Sequence, residues 1–144
     1  MLWSSDDEER DEMNVPAIQR RVVLVEDDLP LREVLADEIR DLGFDVVELA
    51  DGVELLDYFR GAASSYEPTL SDVVVAEVDL PGCTGTEACR KLHASGAHVP
   101  FILISPAGLT SLHEEAIEAG ADWVLDKPFD IDSLTDAVET VMHN

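Results

Sequence analysis

Chemically active side chains follow four short apolar segments of this chain, each at the point where the segment ends. They are the carboxylates of Glu26, Asp27, Asp28, Glu77 and Asp79, the hydroxyl of Ser105 and the ammonium group of Lys127. Clustered carboxylates repel one another unless a cation joins them, and Mg²⁺ prefers carboxylate and water oxygens. A lysine and a hydroxyl opposite such an ion could hold phosphate oxygens. A remaining carboxylate could act as a nucleophile and form an acyl phosphate.

The elements that would position these groups form a regular alternation. Short apolar runs predict strands at 22–25, 44–49, 73–76, 101–104 and 123–125. Helical spacing of apolar residues predicts helices at 31–42, 53–59, 86–94, 109–119 and 131–142, with a loop at 64–69. Strands without polar alternation indicate a parallel sheet covered on both faces, so we expect an α/β, doubly wound (βα)5 fold. In such sheets the ligand site lies beyond the carboxyl ends of the strands.

Each of these residues also has a simpler interpretation when taken alone. Asp28, followed by Pro30, has the pattern of a helix N-cap, and Asp79 that of a turn residue. A single lysine or serine after a strand is commonly solvated. Their joint occurrence at the ends of four strands favours a common site.

The charge balance excludes several classes of partner. The 144 residues contain 9 Lys and Arg against 32 Asp and Glu, a net charge of −23. Nucleic-acid backbones and anionic membranes attract clusters of basic residues, so we expect neither as a partner. The acidic start of the chain lacks the pattern of a secretory signal, which predicts a cytoplasmic location. We divide the chain into a flexible acidic leader, residues 1–20, and one domain, residues 21–144.

Several motifs of the predicted domain together resemble the receiver domain of bacterial two-component response regulators. They are the runs at 22–28, 80–85, 119–122 and 127–129, with sequences VVLVEDD, LPGCTG, AGAD and KPF. The resemblance implies the strand order 2-1-3-4-5. It also implies that Glu26 and Asp27, with Glu77 as a candidate third ligand, form a Mg²⁺ site. Ser105 and Lys127 would contact a phosphoryl group, and the Lys127–Pro128 bond would be cis.

The chain departs from this family at two informative positions. The family's phosphoacceptor aspartate lies four residues before the proline of the Leu-Pro-Gly turn, and that position here is Glu77. Glutamate is longer by one methylene, and a misplacement of ~1 Å in a reacting group can cost on the order of 10²-fold in rate. The longer carboxylate could instead reach Lys127 and imitate a phosphoryl group in part. Val124 occupies the position of the family's switch aromatic residue.

Our main hypothesis is a non-enzymatic, stand-alone receiver that acts as a protein-interaction module, with Glu77 in place of the phosphoacceptor. The alternative is a working Mg²⁺-dependent phosphoacceptor that uses Glu77 or Asp79. A flavin-binding domain of the same topology is disfavoured, because the acidic loop after the first strand would repel a phosphate. A sensor histidine kinase or phosphotransfer protein is the expected input partner.

The resemblance implies an output surface that comprises helix 4, strand 5 and helix 5, and a homodimer is a further expected assembly. Helix 4 carries Glu114, Glu115 and Glu118, which suit a basic partner. Helical spacing predicts that the apolar residues of this region lie in the core rather than at a contact. They are Leu109, Leu112, Ile117 and Val124.

Overall fold

A computed structural model describes residues 20–62, 72–106, 108 and 110–142. Five strands alternate with five helices in this part of the chain. The strands are β1 (Arg21–Val25), β2 (Asp45–Leu49), β3 (Asp72–Glu77), β4 (Phe101–Ser105) and β5 (Trp123–Asp126). The helices are α1 (Leu29–Asp41), α2 (Gly52–Ala62), α3 (Gly85–Ala94), α4 (Thr110–Glu118) and α5 (Ile131–Met142).

The strands form one parallel sheet with the order β2-β1-β3-β4-β5, which confirms the predicted fold and strand order. Val25 lies opposite Ala76 in the register, Glu77 opposite Ile104, and Ser105 opposite Asp126. The carboxyl ends of β1, β3, β4 and β5 therefore meet along one edge of the sheet. This edge holds the polar residues singled out by the sequence.

Each face of the sheet is covered by its own group of helices, as its apolar strands predict. On one face, α2, α3 and α4 pack on alternate strand residues such as Val23, Val74 and Leu103. On the other face, α1 and α5 pack on the intervening residues, including Leu24 and Ile102. No helix in the described ranges is long and apolar enough to cross a bilayer.

Short polar side chains cap the N-termini of the helices α1, α2 and α3, which begin at this edge. The Asp28 side chain caps α1 by accepting a hydrogen bond from the Leu31 amide, and Pro30 lies in the first turn, as predicted. Asp51 accepts from the Glu54 amide at the start of α2. Thr84 caps α3 by accepting a hydrogen bond from the Glu87 amide, and its hydroxyl donates to the Glu87 carboxylate. These caps orient the loops that carry the site.

Most predicted boundaries agree with the structure within one or two residues, and the discrepancies are informative. The second strand begins at Asp45, because Phe44 packs in the α1–α5 core just before it. Ile117, predicted to be a core residue, is 55 % exposed, because Ala116 and Ala119 form the side of this region that faces the sheet. Leu112 and Val124 do pack on that core. The predicted loop at 64–69 and Leu109 lie outside the described residues.

Gly85, the first residue of α3, fixes the end of β3. A Cβ added there would lie 2.1 Å from the carbonyl oxygen of Glu77 and 3.2 Å from Leu103 Cδ2. The Gly85 amide also donates a hydrogen bond of 3.0 Å to the Val78 carbonyl. Only glycine allows the helix to approach the strand this closely, so Gly85 determines where the Glu77 backbone lies.

We predict that Gly85→Ala lowers the free energy of unfolding by about 3 kcal/mol, because the methyl group overlaps backbone that cannot rotate away. Gly43→Ala is the matched control: its φ of 98° is left-handed but nothing lies within 4 Å of the added Cβ. That control is expected to cost only the conformational penalty of about 1–2 kcal/mol. Urea unfolding of both variants measures the difference, and equal losses would contradict the close approach.

Candidate functional site

The ion pair between Glu77 and Lys127 lies at the centre of this edge. Lys127 Nζ is 2.6 Å from Glu77 Oε1, and the glutamate side chain is only 5 % exposed, against 40 % for the lysine. Glu77 is the last residue of β3, and the Lys127 amide donates to the Ser105 carbonyl at 3.0 Å. The sheet therefore holds both partners. The predicted reach of the longer carboxylate to Lys127 is observed.

The surrounding charges determine the protonation of the lysine. Partial burial alone would lower the pKa of Lys127, but its hydrogen bond to Glu77 acts in the opposite direction. The negative charges of Glu77, Glu26 and Asp27 add to this effect, and the net result is a pKa above the ordinary value. The ammonium group is therefore fully charged at neutral pH.

Glu26, the residue directly after β1, lies beside this pair and is almost completely buried, with 3 % exposure. Its Oε2 accepts a hydrogen bond of 3.1 Å from the Asp28 amide. Its Oε1 is buried and meets no N–H or O–H donor in the described part of the chain. Burial, followed by contact with the Glu77 carboxylate, raises the pKa of Glu26 from 4.5 to about 8. A pKa of about 8 leaves Glu26 protonated at neutral pH, which relieves the repulsion between it and the neighbouring Glu77 carboxylate.

The other predicted site residues lie at the same edge but are not equally engaged. Asp27 is exposed and contacts the Glu26 carboxyl group, which it helps to keep protonated. Ser105 is fully buried, and its hydroxyl donates to the Pro106 carbonyl at 3.4 Å rather than to Glu77. Asp79 is exposed in the turn after β3. The Lys127–Pro128 bond is cis, as the resemblance implied.

Two further interactions at this edge were not predicted from the sequence. Arg32 of α1 donates from Nη1 to the Glu26 carbonyl at 2.9 Å, and its Nε lies 3.4 Å from Glu48 Oε1. His113 of α4 lies with Nδ1 3.1 Å from Asp126 Oδ1 at the end of β5. The only sequence signal for Arg32 was its place in the first turns of the helix that follows the acidic pair.

One carboxylate of the candidate Mg²⁺ site already has a cationic partner in the structure. Glu77 Oε1, the oxygen of the candidate third ligand, is already in contact with the Lys127 ammonium group. Across the described ranges, no three His, Cys, Asp or Glu side chains are arranged to hold a metal ion. Glu26 Oε1, by contrast, is buried and has no hydrogen-bond partner among the described residues.

We predict that Glu26→Gln removes part of the pH dependence of stability. Between pH 4.5 and about 8, the folded protein keeps a proton that the unfolded chain has lost, so rising pH lowers the free energy of unfolding through this window. A glutamine does not titrate and can still donate to Glu77. The stability of the variant relative to the natural protein should therefore increase from pH 5 to pH 8.

Urea unfolding at several pH values in EDTA measures this difference. Asp79→Asn is the control, because it removes an exposed carboxylate that does not act on the pKa of Glu26 and thus reports general charge repulsion. Identical pH slopes for the natural protein and Glu26→Gln would contradict the raised pKa of Glu26.

Comparisons with known proteins agree with this architecture. A family model described as "Response regulator receiver domain" matches residues 22–139. "Response regulator MprA" of Mycobacterium sp. (strain KMS) is 33 % identical over 114 residues, which are 79 % of this chain and 46 % of that protein. The chain thus spans less than half the length of this relative.

Solved structures of receivers have the same fold. The structure named "FixJ-N" superposes with a TM-score of 0.77 at 27 % identity, covering 88 % of this chain and 95 % of its own. The receiver domain of sensor histidine kinase PA1611 from Pseudomonas aeruginosa PAO1 gives 0.72 at 27 % identity, covering 88 % and 99 %. In that protein, a magnesium ion is coordinated in the active-site cleft. On its matched residues and its fold, this chain belongs to the receiver domain family of two-component response regulators.

Proposed function

We propose that this receiver is a protein-interaction module uncoupled from phosphorylation, in which Glu77 replaces the phosphoacceptor and acts as a partial phosphoryl mimic. The ion pair of 2.6 Å between Glu77 and Lys127 is the observation that carries the proposal. In the family, the corresponding lysine contacts the phosphoryl group. Here the same ammonium group is already neutralised by a carboxylate of the chain itself.

The mimic is incomplete in both charge and shape. A carboxylate carries one negative charge and is planar, whereas a phosphoryl group carries nearly two charges and has three acceptor oxygens. One oxygen of Glu77 contacts Lys127, while Ser105 stays bonded to Pro106. The structure therefore combines an engaged lysine with a disengaged hydroxyl. This combination supports a receiver that keeps one conformation rather than one that switches between two.

Val124 in place of the aromatic residue also supports a fixed state. Val124 packs against the core between the sheet and helices α2–α4. A small aliphatic side chain has no ring that could move between an inward and an outward position. The neighbouring Trp123 is partly exposed, at 36 %, and precedes it on β5.

The surface of α4, β5 and α5 fits the role of output surface that the sequence predicted. Ile117 and Trp123 are exposed apolar side chains there, and Glu114, Glu115 and Glu118 are exposed on α4. Exposed apolar and acidic side chains together suit a basic partner, which would be steered by the field of this acidic chain. The other expectations from the sequence stay predictions. They concern the input kinase or phosphotransfer protein, a homodimer, the stand-alone arrangement and the acidic leader. They also include the absence of nucleic-acid and membrane partners and the cytoplasmic location.

The first test is the intact mass of the chain after incubation with acetyl phosphate and Mg²⁺. We expect no phosphoryl group on the natural protein, because the Glu77 carboxylate is bound to Lys127 and displaced by a methylene. We expect a gain of one phosphoryl group by Glu77→Asp, which restores the shorter side chain.

Two controls define the result. Glu77→Gln removes the carboxylate at the same length and should gain nothing in mass. A phosphoryl group on the natural protein would overturn the proposal and support the alternative, and Asp79→Asn would then distinguish acceptance by Glu77 from acceptance by Asp79.

The second test asks whether Glu77 influences the output surface. We predict that Glu77→Ala, which releases Lys127, shifts backbone amide resonances of β5 and α4 in ¹H–¹⁵N NMR spectra. The expected route is the Lys127 backbone, which follows β5 directly and is bonded to Ser105. Asp79→Ala, in the exposed turn nearby, should leave those resonances in place. Shifts confined to β3 and its loop would sink the phosphoryl-mimic part of the proposal.

A further inference from the structure

The positive charges of this acidic domain are distributed unevenly over its helices. In the described part of the chain, α3 is the one helix in which cations outnumber carboxylates, with Arg90 and Lys91 against Glu87. By contrast, α4 and α5 carry three carboxylates each and neither lysine nor arginine. The helix α2 packs on the same face of the sheet as α3 and adds Arg60 in its last turn. Cations therefore collect on one side of the domain.

Arg60, Arg90 and Lys91, here called the basic face, are exposed and have no ion-pair partner among the described residues. Every other lysine and arginine in the described ranges pairs with a carboxylate. A cation in the last turn of a helix also favours the helix dipole. Since α4 and α5 have no cation there, helices of this domain do not depend on that contribution.

The two helices bring these cations near one another. Burial raises the pKa of Cys83, just before α3, and the charges of Lys91 and Arg60 both act against this rise. Both cations therefore lie within electrostatic range of the same thiol. A shallow depression of about 280 Å³ lies beside them on α3, lined by Glu87, Arg90, Lys91 and Ala94. A single extended segment could contact this whole surface.

The chain enters the sheet at the edge where these helices end. The Arg20 carbonyl accepts a hydrogen bond of 2.9 Å from the Asp45 amide at the start of β2, and Arg21 begins β1. A helix that connects parallel strands returns to the edge where the next strand begins. The last turns of α2 and α3, which precede β3 and β4, therefore lie towards the same edge as residue 20.

The sequence before residue 20 supplies a complementary charge. Residues 6–12, with the sequence DDEERDE, carry six carboxylates and one arginine, and are here called the acidic run. An extended chain from residue 12 to residue 20 spans about 26–29 Å. The strands that α3 connects, β3 and β4, are the first and second neighbours of β1, about 5 and 10 Å away. The acidic run can therefore reach the basic face, whereas the carboxylates of α4 and α5 repel it.

We propose that the acidic run of residues 6–12 docks on the basic face of its own chain, formed by Arg60, Arg90 and Lys91. Each exposed charge pair contributes little and is screened by salt. The short tether compensates for this, because it keeps the run at an effective concentration in the millimolar range. The docked run would cover α2 and α3 and leave the surface of α4, β5 and α5 open. This inference goes beyond the proposed function and does not use the Glu77–Lys127 pair.

Cross-linking through lysine tests the contact directly, because the chain contains only Lys91 and Lys127. A water-soluble carbodiimide condenses a carboxylate with an amine in contact with it, with loss of water, and peptide mass spectrometry identifies the pair. The full chain is treated at low micromolar concentration in low salt, and again in about 1 M NaCl, where the Debye length falls to about 3 Å. The cross-link between Lys91 and Glu87, one turn apart on α3, is the internal standard.

We expect cross-links from Lys91 to the acidic run in the monomeric protein. Their yield relative to the internal standard should fall at least about fivefold in high salt. The double variant Arg60→Gln, Arg90→Gln keeps the reactive lysine but lowers the charge of the basic face, and should reduce the low-salt yield by a similar factor. Arg40→Gln is the matched control, because it removes an exposed cation from the last turn of α1, and should leave the yield unchanged.

An NMR comparison keeps the test valid if the double variant does not fold, since it changes no residue of the described domain. ¹H–¹⁵N spectra of the natural protein are compared with those of a variant whose acidic run is neutral. We expect the shift differences among the described residues to concentrate in the last turns of α2 and α3. The substitutions are Asp6→Asn, Asp7→Asn, Glu8→Gln, Glu9→Gln, Asp11→Asn and Glu12→Gln.

Three results would overturn the inference. The first is a set of Lys91 cross-links to the acidic run that join two copies only, with none in the monomer. The second is a set of shift differences concentrated on α4 and α5. The third is an equal yield of cross-links to the acidic run from Lys91 and Lys127, since Lys127 lies at the opposite edge of the sheet. None of these results bears on phosphoryl uptake, which the intact-mass test measures separately.

Discussion

The structure depends on how one edge of a parallel sheet accommodates several carboxyl groups in a small volume. Glu26 and Glu77 are almost fully buried, and bringing their negative charges together in a low-dielectric environment is costly. The chain meets this constraint with a proton on Glu26 and an ammonium group from Lys127. The ammonium group comes from the chain itself and the proton comes from solvent.

The fold creates this problem and also positions its solution. Parallel strands direct all their carboxyl ends to one side, so residues far apart in the sequence meet there. Gly85 allows α3 to approach β3, Asp28 caps α1 beside Glu26, and Arg32 holds the Glu26 carbonyl. None of these contacts performs chemistry by itself. Together they determine where the carboxyl groups lie, and a change in any of them would move the site as well as weaken the fold.

The sequence predicted the fold and the edge of the sheet at which the candidate residues meet, but not all of their contacts. Apolar strands and helical spacing are strong periodic signals, and the Asp28 cap follows from local chain geometry. The reach of Glu77 to Lys127 was predicted from the length of the side chain together with the family resemblance. The outward direction of Ile117 was mispredicted, because apolar spacing on a nine-residue helix does not say which side faces the sheet. The raised pKa of Glu26 depends on its burial beside Glu77, a residue from a distant segment, which no local pattern contains. The bond from the Ser105 hydroxyl to the adjacent Pro106 carbonyl is local, but no sequence signal indicated it.

A single methylene group connects these observations. The longer side chain at position 77 brings a carboxylate to the lysine that would otherwise face a transferred group, and that contact compensates the charge of both. Under the proposed function, a lysine bound by the chain's own glutamate leaves no phosphorylation event for a switch residue to transmit. Val124, packed against the core at the switch position, agrees with that proposal. The surface that carries Ile117 and the glutamates of α4 would then be displayed continuously, and we expect binding to it to depend on the abundance and charge of the partner.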